Sequence, residues 1–212
     1  MKFSKSPLIA LLIPCVFLFL SACATTDINE KTPELINWQQ HQLILTKLQR
    51  WTINGRLSVQ TEYDGGQADF TWQQNTPIHY DIRLLAPMGA GTILIHGRDN
   101  GVTLKSSSGA ELFDTNVDSL MFQLKGWPIP VSGLQYWVRG LPAPKSSYEV
   151  SQWSPLGFPE VMLQDGWRIE FRKYTKIENH WLPKKLFISR LGDEEVDVRL
   201  IIRQWQIKSV VN

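Results

Sequence analysis

Cysteine is scarce in this chain: only Cys15 and Cys23 occur, both near the N-terminus. Cys15 lies in a segment that reads as removable and Cys23 in one that reads as a modification site, so no thiol remains for a disulfide or metal site. The fold must then hold by packing alone. Histidine is equally thin, and His41, His79, His96 and His180 are scattered. A metal site would need carboxylates converging from distant segments, so the expectation is structural or surface histidines and no metal. Charge of one sign is missing too: without residues 1 to 22, and so without Lys2 and Lys5, 20 basic groups face 20 acidic ones. A neutral chain has no electrostatic footprint for nucleic acid and no basic cluster for anionic lipid. Catalytic signatures are absent as well: no G-x-S-x-G elbow, no phosphate-cradling glycine loop and no H-E-x-x-H. Asp193-Glu194-Glu195 after Gly192 and Ser106-Ser107-Ser108-Gly109 both read as solvated turns. The expectation is a protein that is not an enzyme and carries no cofactor.

The one long apolar run is informative for being short. Leu8 to Leu20 follows Lys2 and Lys5, as the hydrophobic region of a signal peptide does. At about 1.5 Å per residue it cannot cross about 30 Å of hydrocarbon. It ends in Leu20-Ser21-Ala22-Cys23, where bacterial lipoproteins are cut and lipidated, which predicts a signal peptide over 1–22 and a lipidated Cys23. An ordinary secreted protein cut after Ser21-Ala22, with Cys23 incidental, fits the same residues. Two or three acyl chains at about 0.8 kcal/mol per methylene would make a lasting bilayer anchor.

Residues 23–33 are polar, aperiodic and end in Pro33, so a flexible tether is expected there. Residues 34–212 are expected to form a single domain. Thr32 is a candidate cap for a helix over about 34–50, with Trp38, His41, Ile44, Leu45 and Leu48 on one stripe. From Trp51 the period becomes two: Trp51, Ile53, Leu57 and Val59 share a face, then Ala68, Phe70 and Trp72, then Tyr80, Ile82 and Leu84. Short strands continue through Thr92 to Gly97, Val102 to Lys105 and Glu111 to Phe113. After 145 they resume over Tyr148 to Trp153, Val161 to Gln164, Gly166 to Tyr174, Pro183 to Arg190 and Glu195 to Ile207. In the last of these the apolar parity shifts after Ile202, which predicts a bulge near Arg203. Between the two sets, Val117, Leu120, Met121 and Leu124, then Leu134, Trp137, Val138 and Leu141, mark two amphipathic helices, with Thr115 and Ser132 as candidate caps. About ten strands and three helices imply a mainly β fold: a curved antiparallel sheet with helices packed into its concave side.

Ala86-Pro87-Met88-Gly89-Ala90-Gly91 places an apolar, flexible side chain among loop formers between two strands. Met88 either folds back onto the core or stands in solvent, where a soft thioether would suit acyl chains.

Gly126-Trp127-Pro128-Ile129-Pro130, followed by Leu134 to Pro142, together with Phe70-Thr71-Trp72-Gln73-Gln74, resembles the outer-membrane lipoprotein receptor family LolB. Trp38-x-x-His41 and Pro87-Met88-Gly89 are also similar. The resemblance implies an open antiparallel β-barrel of about eleven strands, a half-barrel with three helices as a lid on its concave face. It implies a monomer that is anchored in the bacterial outer membrane, faces the periplasm, accepts lipoproteins from the periplasmic carrier LolA and inserts them into that membrane. In that family an exposed leucine in the loop after the third strand is associated with membrane insertion. Met88 stands at the matching position, so Pro87, Met88 and Gly89 are the implied insertion loop. Ala24 is not the aspartate that such bacteria use as an inner-membrane retention signal.

Acyl chains would then lie on the apolar face, with Leu57, Val59, Phe70, Trp72, Ile82, Leu84, Ile93 and Ile95 as candidate lining. The alternative for these residues is ordinary core. The alternative for the protein is a lipid-anchored envelope scaffold with no acyl pocket; a lipid hydrolase comes third.

Overall fold

Period-two burial organises the protein. A computed structural model describes residues 35–192 and 195–208. The expected signal peptide, Cys23, the tether, Thr32, Asp193 and Glu194 lie outside the described residues. Eleven strands form one antiparallel sheet in the order β6-β5-β4-β3-β2-β1-β11-β10-β9-β8-β7. They are β1 (Trp51–Thr61), β2 (Gly65–Gln74), β3 (Tyr80–Leu85), β4 (Thr92–Arg98), β5 (Gly101–Ser106), β6 (Glu111–Asp114), β7 (Tyr148–Trp153), β8 (Pro159–Gln164), β9 (Trp167–Ile177), β10 (His180–Arg190) and β11 (Val196–Ile207). Every pairing is antiparallel, and β6 and β7 are left as the two edges of an open sheet.

That strand order dictates where the helices go. To pass from edge strand β6 to the other edge strand β7 the chain must cross the sheet, and it does so as α2 (Val117–Lys125) and α3 (Val131–Trp137). Val117, Leu120, Met121, Leu134 and Trp137 join one apolar core with Ile53, Leu57, Phe70, Trp72, Ile82 and Ile95 from the concave face. At about 1.5–3 kcal/mol per buried large side chain, this face supplies the main driving force for the fold. Trp51 packs against Trp72 and Trp205 at ring-centroid distances of 5.4 and 5.6 Å, so part of the tryptophan complement is structural.

The bulge lies where the parity shift puts it. Asn54 pairs with Gln204 and Gly55 with Ile202, leaving Arg203 as the extra residue. Gly55 fits this close approach because a Cβ there would stand 2.0 Å from the Ile201 carbonyl oxygen.

Helix boundaries differ from expectation. The first helix, α1, is Trp38–Lys47 and not 34–50, with the Asn37 side chain accepting from the Gln40 amide. Ten residues are too few to be stable alone. Docking holds this helix: His41, Leu45 and Leu48 are buried, and His41 Nε2–H donates to the Trp181 carbonyl at 3.0 Å. The cap of α2 is Asn116, not Thr115, and Pro130 precedes α3 where Ser132 was expected to cap. Ser132 is drawn elsewhere, since its amide and hydroxyl both donate to the Asp118 carboxylate, at 3.0 and 2.6 Å, pinning α3 to the first turn of α2.

Candidate functional site

Two adjoining hollows occupy the concave side. The deeper is a cleft lined only by apolar side chains, among them Leu57, Phe70, Trp72, Ile82, Leu84 and Ile95 from the sheet. Met121, Ile129, Val131 and Leu134 of the α2–α3 crossing fill it from above. Its volume is about 40 Å³. That admits a few waters' worth of space and no acyl chain. The outer hollow, about 400 Å³, opens between the Ala86–Gly91 loop, the Ser106 to Ser108 turn and the end of α2. Leu57 and Leu84 belong to both hollows, so the mouth adjoins the apolar cleft.

The eight expected lining residues divide between the two. Leu57, Phe70, Trp72, Ile82, Leu84 and Ile95 line the cleft; Val59 and Ile93 line the mouth together with Leu57 and Leu84. All of them but Ile93 are buried in the core in this arrangement. Sequence reasoning missed the plug. Met121 and Leu134 were visible as helix stripes, but no local pattern says that they fill a cleft. Trp127 was missed at the mouth. Its ring lies over Gly66, where a Cβ would meet it at 2.6 Å, and its Nε1–H donates to Asp64 Oδ2 at 3.3 Å.

The Met88 loop is shaped by its backbone. Pro87–Gly89 forms a 3-10 turn closed by Ala90 N–H donating to the Pro87 carbonyl at 3.1 Å, and Ala86 N–H reaches the Gly91 carbonyl at 2.9 Å. Met88 takes the left-handed conformation, φ 54°, which costs a non-glycine residue roughly 1–2 kcal/mol. Its side chain is fully exposed, at 105 % of the reference area. Met88 does not fold back onto the core; it stands in solvent at the rim of the mouth.

Besides His41 and Gln74, two further polar side chains are buried among the described residues, Arg139 and Gln164. Arg139, just after α3, donates from one guanidinium nitrogen to the carbonyls of Leu45 and Leu48 at 3.3 and 2.9 Å, tying the end of α1 to the end of α3. Burial lowers its pKa to about 10, leaving it cationic at neutral pH against the negative end of the α1 dipole. Gln164 of β8 accepts from Trp137 Nε1–H at 2.8 Å and from the Ala143 amide at 2.8 Å, fixing α3 to the sheet. Besides His41, His79 pairs with Asp99 at 3.0 Å on the surface and His96 with Asp81 at 2.6 Å. No group of three or more potential metal ligands occurs among the described residues.

A family model described as "Outer membrane lipoprotein LolB" matches residues 49–205. A relative named outer-membrane lipoprotein LolB from Pseudomonas putida is 34% identical over 169 residues, 80% of each chain. One of the same name from Pseudomonas paraeruginosa is 34% identical over 190 residues, 88% of this chain and 90% of the relative. Among solved structures, a LolA superfamily protein from Nitrosomonas europaea superposes with a TM-score of 0.52 at 9% identity, covering 80% of this chain and 94% of that one. That last likeness is one of fold.

Proposed function

This chain belongs to the LolB family of outer-membrane lipoproteins, non-enzymatic receptors that take lipoproteins from LolA for insertion into the outer membrane, and we propose that it does so by sheltering acyl chains beneath α2 and α3. The observation that carries this reading is an all-apolar cleft that meets the mouth at Leu57 and Leu84 and is roofed by Met121, Ile129, Val131 and Leu134 of the α2–α3 crossing.

The energetics give a direction without fuel. An acyl chain of about 15 methylenes costs about 12 kcal/mol to expose to water, at about 0.8 kcal/mol per methylene. Seating it requires lifting Met121, Ile129, Val131 and Leu134 out of the cleft. At about 1.5–3 kcal/mol each, that opposes binding by up to roughly 6–12 kcal/mol. Two or three acyl chains outweigh the displacement, so cargo is held. A bilayer accepts the same chains with no side chains to displace, so cargo leaves when one is within reach, and reclosure of the helices favours release.

In this account residues 1–22 are removed, lipid on Cys23 anchors the protein, residues to 33 tether it, and 34–212 form the receptor domain. Pro87, Met88 and Gly89 enter the bilayer and carry the mouth to it. The partners are the carrier LolA, the acyl chains and the outer membrane, and the receptor acts as a monomer. Transfer of a radiolabelled lipoprotein from LolA to this protein, and then to liposomes, tests the reading directly. Cargo that stays on LolA, with no intermediate on this chain, would refute it. Cys23→Ala is expected to abolish palmitate labelling and anchoring; continued labelling would refute the cleavage assignment.

A further inference from the structure

The end of the sheet that carries Met88 carries more than Met88. Antiparallel pairing brings five hairpin tips to this end: the β3–β4 loop with Met88, the β1–β2 turn with Tyr63, the β5–β6 turn over Ser107 to Ala110, the β8–β9 turn at Asp165-Gly166 and the β10–β11 turn after Leu191. Two of them present a large apolar side chain at the tip itself, Met88 at 105 % and Tyr63 at 89 % exposure, and Leu191 is exposed at 47 % where β10 ends. The Tyr63 tip is held firmly. Thr61 N–H donates to the Asp64 carbonyl at 2.8 Å, Asp64 N–H donates to Thr61 Oγ1 at 3.0 Å, and Trp127 Nε1–H donates to the Asp64 carboxylate at 3.3 Å. The turn backbone thus projects an aromatic ring away from the protein beside the same mouth that Ala86 and Ala90 border. At the opposite end the tips carry Asp99-Asn100 and Glu178-Asn179, and the apolar side chains exposed there, Leu35 at 72 %, Ile78 at 54 %, Trp153 at 49 % and Leu156 at 36 %, are each less exposed than Met88 or Tyr63.

We infer that Tyr63 is a second bilayer-contact residue, and that the Met88 and Tyr63 tips dock together as one face on the interfacial region of a phospholipid bilayer. The inference rests on the reading of Met88 as the insertion loop and extends it to the orientation of the whole domain. A tyrosine suits this place because its ring is apolar and its hydroxyl is satisfied among headgroups. Glu62 and Asp64 flank it and Lys125 is the single basic side chain lining the mouth beside it, so the surface fits a zwitterionic bilayer and not an anionic one.

The length of chain before the described residues agrees with this occupant. Ile36 N–H donates to the Leu156 carbonyl in the β7–β8 turn, so the domain begins at the end opposite Met88. The eleven residues of β1 span about 36 Å along that direction. Residues 23 to 34 can extend to roughly 40 Å, so a lipid on Cys23 can lie in the very bilayer that the tips touch.

The test uses the lipidated chain, whose Cys23 sulfur is blocked, reconstituted in phosphatidylcholine–phosphatidylethanolamine vesicles with brominated acyl chains. A nitrobenzoxadiazole fluorophore is placed in turn on Tyr63→Cys, Met88→Cys and, as a control at the far end, Asn179→Cys. Quenching at 63 and 88, at least about threefold stronger than at 179, is the result expected. Quenching at 88 but not at 63 would overturn the inference and leave the Met88 reading standing. Quenching at neither would overturn the Met88 reading and with it this one. Equal quenching at 179, or quenching that requires added phosphatidylglycerol, would overturn the proposed face. In lipoprotein transfer, Tyr63→Asp is expected to slow insertion about fivefold with acceptance from LolA unchanged, and Tyr63→Trp to preserve it; wild-type insertion by Tyr63→Asp would overturn the assignment.

Discussion

Replacing Met88 by glycine separates the stability of the insertion loop from its function. The side chain touches solvent on all sides, so removing it costs no packing. The backbone at φ 54° is the natural territory of glycine, and relief of strain contributes roughly 1–2 kcal/mol. Greater freedom of the unfolded chain takes back roughly 0.5–1 kcal/mol. The expected net is a gain of about 0.5–1 kcal/mol, or a melting temperature higher by about 1–4 °C for a domain of this size. Insertion should move the other way, because burying a methionine side chain in a bilayer is worth about 1.5–3 kcal/mol. Its loss predicts insertion at least about tenfold slower, with acceptance from LolA intact. Met88→Glu should fold as well as the native chain and release almost no cargo into liposomes. Thermal melts read beside a two-step transfer assay decide the matter. A destabilised Met88→Gly variant, or one that inserts at the native rate, would refute the reasoning.

Three further perturbations probe the parts behind the loop. Met121→Ala removes part of the plug; it is expected to cost about 2–5 kcal/mol of stability while raising affinity for a fluorescent fatty acid, measured by denaturant midpoint and by titration. Unchanged probe affinity would count against the cleft as the seat. Arg139→Ala leaves the Leu45 and Leu48 carbonyls without their charged donor and should cost about 2–4 kcal/mol. Hydrogen exchange should show α1 amides losing protection first; uniform loss of protection would contradict the tie. Burial lowers the pKa of His41 below its ordinary 6.5, with the Trp181 carbonyl opposing the shift and His180 adding to it. The unfolded chain therefore takes up this proton first. Stability is full above about pH 6.5 and falls as the pH drops below it, and denaturant midpoints for His41→Phe should lose that component of the slope.

Much of the sheet was legible because one face of each strand is buried. Alternation through Trp51, Ile53, Leu57 and Val59 specifies which residues point inward, and the parity change after Ile202 locates the bulge at Arg203. Caps were less legible. Thr115 and Asn116 are adjacent capping types, and only the geometry of the chain leaving β6 selects the asparagine. Ser132 is claimed by Asp118, fourteen residues earlier, a contact that no local pattern contains. The closed state of the cleft was illegible for a deeper reason. An inward apolar residue in a strand reads the same whether a helix or a guest covers it, so Phe70 and Ile82 could be named while the 40 Å³ they enclose could not. Tyr63 did carry a signal, an aromatic in a turn just before Asp64-Gly65-Gly66, but its nearness to Met88 depends on strand pairing.

The central claim is that acyl chains replace the α2–α3 plug inside the cleft. Photocrosslinking residues at Ile82, on the concave face, and at Arg83, its outward neighbour, put the question to the sheet itself. When LolA delivers a lipoprotein with radiolabelled acyl chains, the account predicts labelled adducts at 82 and none at 83, and none at 82 when liposomes are added before irradiation. Adducts absent from 82 while cargo still passes to the membrane would contradict it.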